Sequence, residues 1–373
     1  MKRWSWVLVL GFFVLWLGLG VLVLLGVVLP HFERSDIAVL YRARALFSHH
    51  LPYFQLRIEY PVLLGWWMWA TAWAPGFSGY LTANVLGLSA AAAAITVLLH
   101  RLRPAFYQWW TVFPLLFAFS FVNWDLLGIL ALMGAWDAWT RQRPAWTGVW
   151  LAVGTATKLF PVIAWPFMAY AWWRAGRRSH AARMTLWALF VWLILNAPEM
   201  VGAWRNWSWF WVFNFERSSS TDLFWLLHLN HTLGRRGIDG LSLLIVGGVT
   251  LWALRRMAAG WDAPAATAAV MTGFFIVNKV FSPQYMLWVF ASGVLAGWTP
   301  GTLGVLALGG LFDWTTHFAA LQIPRELRLG AIHAARMAAV GVVAGVAARY
   351  GVLVLALARD RGPGRSGEAA APP

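Results

Sequence analysis

Long uncharged stretches alternate with short basic or polar loops along this chain. Residues 4–30, 60–100, 104–124 and 280–312 contain no Asp, Glu, Lys or Arg. A helix that crosses a bilayer needs about 20 apolar residues, so each stretch predicts one span or a pair of spans. The first stretch outruns the about 7–15-residue apolar core of a signal peptide and shows no small-residue cleavage site before Pro30. Further spans follow it, so it is expected to stay as a first helix. From residue 240 onward, spans are expected near 240–254, 264–279, 284–298, 301–312 and 331–358. The pattern predicts an all-α fold, a polytopic membrane bundle of about 10–13 transmembrane helices. It forms one integral membrane domain over residues 1–360, followed by a Gly/Pro/Ala-rich tail, 361–373, expected to be disordered.

Two regions fit this scheme less simply. Residues 60–99 read as two spans broken at Pro75-Gly76, which sets Arg101 and Arg103 outside unless one half is re-entrant. Residues 145–173 are either one long tilted helix or two half-length helices broken at Lys158-Leu159-Phe160-Pro161. About 13 helical residues rise only about 20 Å, short of the roughly 30 Å hydrocarbon core. Half-length helices must therefore line a cavity rather than face lipid.

Composition agrees with the pattern. Hydrophobic residues make up 60% and charged residues 12% of the 373, against about 45–50% and about 25% in soluble domains. A water-soluble core cannot absorb that much apolar surface. The formal charge of +15 would suit a nucleic-acid partner, but its distribution excludes one. Arginines gather in short loops at 101–103, 141–143, 174–183, 255–256 and 359–365, as expected of cytoplasmic loops. With Lys2 and Arg3, they place both termini inside. Acidic residues gather in outside loops at about 31–59, 199–239 and 313–330. There is no cysteine, hence no disulfide framework or thiolate metal site. The 29 tryptophans mostly sit near span ends as an interfacial belt, while Trp204, Trp207, Trp209 and Trp211 are placed to stack on a sugar.

The chemistry lies in the residues a plain bundle does not need. Of three lysines, two interrupt apolar helices, at Lys158-Leu159-Phe160-Pro161 and Lys279-Val280-Phe281-Ser282-Pro283. An ammonium near hydrocarbon costs a few kcal/mol or more, and a following proline frees backbone carbonyls, so each break is a candidate anion site. Snorkelling to an interface is the ordinary alternative. Ser35 is a fair N-cap for a short interfacial helix to about Phe47, with Ile37, Leu40 and Tyr41 on one face and Arg44 spoiling its apolarity. Asp36 then sits in the first turn, close to the membrane surface, where a carboxylate can meet a lipid-borne substrate. Offsetting the helix macrodipole is its ordinary role, worth about 0.3–1 kcal/mol. Arg217, a planar donor fork, is the natural phosphate clamp of the longest polar stretch. His228 and His231 lack a carboxylate at ligand spacing, so no metal is expected. Asn123-Trp124-Asp125 either lines a cavity or caps a helix. Phosphate loops, nucleophile elbows and zinc motifs are missing, so soluble-enzyme chemistry finds no support.

Several of these segments occur together and in order over roughly residues 1–300. They are an Asp in the first outside loop, Leu51-Pro52-Tyr53, Glu59-Tyr60-Pro61, the Lys158 break, and Lys279-Val280-Phe281-Ser282-Pro283-Gln284-Tyr285. The set resembles glycosyltransferase family 87 of the GT-C membrane superfamily, although Val62 stands where that family often has a second proline. The resemblance implies a bacterial inner-membrane transferase that takes a hexose, most often mannose, from a polyprenyl-phosphate donor to a lipid or glycan acceptor on the outer face, with no cofactor. It implies Asp36 as general base. Lys158, Lys279 and Arg217 would then face the donor phosphate, and Glu59, Tyr60, Asn123, Asp125, Gln284, Tyr285 and His231 would bind substrate. Two other readings stay open: a transporter or lipid flippase, which also uses intramembrane lysines and broken helices, and a surface-glycan polymerase or ligase.

Overall fold

The computed structural model describes residues 35–112, 119–218, 221–322 and 332–359, with Gly11 and Gly18. The expected first helix, apart from those two glycines, and the expected disordered tail lie outside the described residues. Regular structure among the described residues is helical. It falls into two compact units, one within Met1–Val112 and Phe119–Glu216, the other within Phe113–Ala118 and Arg217–Pro373.

The first unit runs α1 (Asp36–Ala43), α2 (Val62–Thr71), α3 (Gly76–Leu102), α4 (Tyr107–Val112), α5 (Asp125–Thr140), α6 (Pro144–Thr157), α7 (Trp165–Arg174), α8 (Arg178–Gly202), α9 (Trp204–Trp207) and α10 (Trp209–Glu216). Here α6 packs against both α5 and α8, and α3 against α5. The second unit contains α11 (Leu223–Leu226), α12 (Asn230–Ala258), α13 (Ala263–Val277), α14 (Met286–Ala296), α15 (Pro300–Gln322) and α16 (Ile332–Arg359). Within it α15 packs along α16, and α13 packs against α12 and α14.

Among the described residues, four helices, α3, α8, α12 and the Ala339–Arg359 part of α16, are long and apolar enough to cross a membrane. On α8 the exposed Leu186, Leu189, Phe190, Leu193 and Ile194 recur every three or four residues, and α12 exposes Leu243, Leu244, Leu251 and Trp252. Water tolerates no apolar stripe of that extent, whereas acyl chains cover it without cost. Elsewhere the apolar stretches form shorter pieces. α2 has 10 residues, about 15 Å of rise, so it does not cross alone. Between α2 and α3, Pro75 caps and Gly76 adopts φ +64°, a left-handed conformation that glycine accepts without strain. Residues 145–173 take the two-helix alternative. α6 ends at Thr157, Lys158 is extended, a 3₁₀ turn (Phe160–Ala164) carries Pro161, and α7 follows.

The regions expected as outside loops at 199–239 and 313–330 are largely helical among the described residues. Glu199, Met200, Val201 and Gly202 still belong to α8, and Glu199 is buried. Most of the rest of 199–239 is short helix, and α12 begins at Asn230 with a kink at Gly234. Asp313 lies inside α15, fully buried, because Arg349 on α16 supplies its counter-charge at 2.9 Å. Charge pattern alone reads a carboxylate as a loop residue and misses one neutralised by a distant helix.

Close packing of α6 on α8 depends on Gly148. A Cβ there would stand 2.8 Å from the Ala188 nitrogen and 2.9 Å from the Trp187 Cβ, so the backbones must part to admit it. Gly148→Val is expected to lower stability in detergent by about 1–3 kcal/mol, read as a lower midpoint of thermal unfolding.

Candidate functional site

The first unit gathers five of the expected residues into one hydrogen-bonded cluster. Ser35 caps α1 as expected, accepting from the Ala38 amide at 3.2 Å, while Ile37, Leu40 and Tyr41 are buried. The Asp36 amide donates to the Val122 carbonyl at 3.0 Å, which ties the start of α1 to the segment entering α5. One residue further on, the Asn123 Nδ2 donates to Asp36 Oδ2 at 2.6 Å and to Tyr60 Oη at 3.0 Å. Asn123 Oδ1 accepts from Lys158 Nζ at 2.9 Å and from the Trp124 amide at 2.6 Å. The buried Lys158 ammonium also stands 3.5 Å from Asp125 Oδ1 and 4.8 Å from the centre of the Tyr60 ring.

Local sequence explains this convergence. Asp125 opens α5 in the favourable position for a carboxylate, and Lys158 closes the antiparallel α6 in the favourable position for a cation. Tyr60 is set by Tyr53, whose hydroxyl donates to the carbonyls of Tyr60 and Pro61 at 2.9 and 2.8 Å. Burial, reinforced by the nearby Glu199 carboxylate, raises the Tyr53 pKa well above the ordinary phenol value and keeps it a donor. A Cβ at Gly65 would collide with this ring. Trp124 is held by Asn84, whose Oδ1 accepts from the indoles of Trp124 and Trp67 at 2.6 and 3.0 Å. Glu199 accepts from the Trp66 indole at 2.6 Å.

Asn84 and Glu199 are positioning residues that sequence reasoning passed over, whereas Tyr53 stood in a quoted motif without a role. Asn84 left a signal, being a lone buried amide within an uncharged run.

Beside the cluster, Tyr60, Thr155, Leu159, Asn196, Trp207 and Trp211 line a small pocket. Of the four tryptophans expected to offer a sugar platform, Trp207 and Trp211 line this space. Trp204 is exposed, and Trp209 lies under the Arg57 guanidinium at 5.2 Å.

The other expected residues sit elsewhere. Glu59 is bound by Arg44 through two 2.8 Å hydrogen bonds, which raise the Arg44 pKa against the opposing effect of burial. In the second unit, Lys279 is buried and paired with Asp239 at 2.8 Å. Its break repeats the first one: α13 ends at an extended Asn278, a 3₁₀ turn (Pro283–Tyr285) opens with proline, and α14 follows. Gln284 is buried, and Tyr285 packs its ring 5.0 Å from Phe275. Arg217 and His231 are exposed. Among the described residues, no three His, Asp or Glu side chains lie close enough to hold a metal ion.

No protein-family model and no curated protein matches the chain, so the likeness to glycosyltransferase family 87 rests on the motif residues themselves.

Proposed function

We propose that the chain is a membrane glycosyltransferase of GT-C type in a bacterial inner membrane. It moves a hexose, mannose first among candidates, from a polyprenyl phosphate to a lipid or glycan acceptor on the outer face. Supporting this reading is one observation above all: the carboxylate that opens an interfacial helix is gripped by Asn123, in a cluster with Tyr60 and Lys158, beside an aromatic-walled cavity.

In the reaction, the acceptor hydroxyl gives its proton to Asp36 as its oxygen attacks the anomeric carbon. The bond from that carbon to the phosphate oxygen breaks, with inversion. Polyprenyl phosphate leaves as a stable anion, so no second acid is required. The departing charge needs preorganised cations. Lys158 is already shared with the Asp125 carboxylate and Lys279 with the Asp239 carboxylate.

The decisive assay gives membranes containing the chain a labelled polyprenyl-phosphate mannose and follows label into lipid or polymer. If no polyprenyl-phosphate hexose serves as donor, the proposal fails. A second reading, a transporter or lipid flippase, is favoured by the two alike lysine-proline breaks. It is distinguished by label that crosses proteoliposome membranes still attached to its original phosphate.

A further inference from the structure

Asn123 uses every hydrogen-bonding capacity of a primary amide, two as acceptor and two as donor. Its direction is dictated by its neighbours. The Lys158 ammonium and the Trp124 amide only donate, so both must meet the carbonyl oxygen. That leaves the amino group aimed at Asp36 Oδ2 and Tyr60 Oη. Lys158 is itself held by Asp125 and by the face of Tyr60, with a side chain 6% exposed.

We propose that Lys158 acts through Asn123 to position Asp36, rather than by binding the donor phosphate. The inference rests on the reading of Asp36 as the base. Without the ammonium, the amide keeps only the Trp124 N–H to fix its carbonyl, so its amino group is held against the carboxylate less firmly. Lys158 is then a positioning residue at one remove from the reacting atoms, and Asn123 the intermediary that touches the base.

Steady-state kinetics of the full chain in proteoliposomes, with labelled polyprenyl-phosphate mannose as donor, provide the test. Asn123→Asp keeps an oxygen for Lys158 and Trp124 but turns an acceptor toward Asp36. It is expected to lower kcat on the order of 100-fold, the cost of a misplaced reacting group. Asn123→Ala, which adds no charge, is expected to lower kcat in the same way. Donor KM is expected to stay at the wild-type value, while the thermal unfolding midpoint falls because buried partners lose hydrogen bonds. Lys158→Met is expected to lower kcat while leaving donor KM unchanged, and Lys158→Arg, which still donates, to restore most of it. The inference is overturned if Lys158→Met raises donor KM at unchanged kcat, which would mark a phosphate ligand. Wild-type kcat in both Asn123 variants would also overturn it. Absence of transfer by the wild-type chain would instead remove the glycosyltransferase reading, and this inference with it.

Discussion

Asp36→Asn is expected to cut hexose transfer by about 10²- to 10⁴-fold, the usual contribution of a general base, while the protein still inserts and unfolds near the wild-type temperature. The substitution is nearly isosteric. Asn123 Nδ2 reaches Oδ2 at 2.6 Å, and a side-chain amide oxygen in that place accepts the same hydrogen bond. The Ser35 cap and the link from the residue 36 backbone amide to Val122 do not involve the side chain and remain. Lost are the ability to take a proton and a first-turn charge worth about 0.3–1 kcal/mol, too little to unfold the protein. Turnover of the purified variant at the wild-type rate would remove Asp36 from the reaction, and a much lower unfolding temperature would assign it to stability.

Arg349→Met is expected to have the largest effect on the second unit. The guanidinium is fully buried. It pairs with Asp313 at 2.9 Å, donates to the Thr221 carbonyl, and covers the Phe281 ring at 4.0 Å. It therefore joins α15, α16, the turn before α11 and the Lys279 break. Removing one member of a buried pair leaves an uncompensated charge and typically costs about 3–5 kcal/mol. The expected result is a large fall in the unfolding midpoint in detergent. Combining Arg349→Met with Asp313→Leu removes the stranded carboxylate and is expected to recover most of the loss. If the double variant is no more stable than the single one, packing on Phe281 rather than charge compensation accounts for the role of Arg349.

These two residues differ in how far the sequence discloses them. Asp36 is legible because its setting is local: a cap, a first turn and an apolar face read within a dozen residues. The break at Lys158 is legible for the same reason, since a cation and a proline interrupt an apolar run. Pairing is not local. Asp125 lies 33 positions before Lys158, and Asp239 lies 40 before Lys279, so both lysines read as anion sites until their carboxylates are located. Arg349 sits unannounced within an apolar run, and its partner Asp313 reads as a loop charge. Glu59 shows the same limit at shorter range, its role being settled by Arg44 fifteen residues earlier. Helix boundaries near 263–296 follow from composition, because Asp262, Pro264, Pro283 and Gly297 mark them.

The matched lysine-carboxylate pairs at the open ends of α5–α6 and α12–α13 carry a consequence for biogenesis. An ammonium or a carboxylate entering hydrocarbon alone is opposed by several kcal/mol, whereas a joined pair is formally neutral. Neither helix of such a couple partitions well without its companion. The later helix of each couple therefore sets when the earlier one can pack, and the two are expected to fold as one electrically balanced pair.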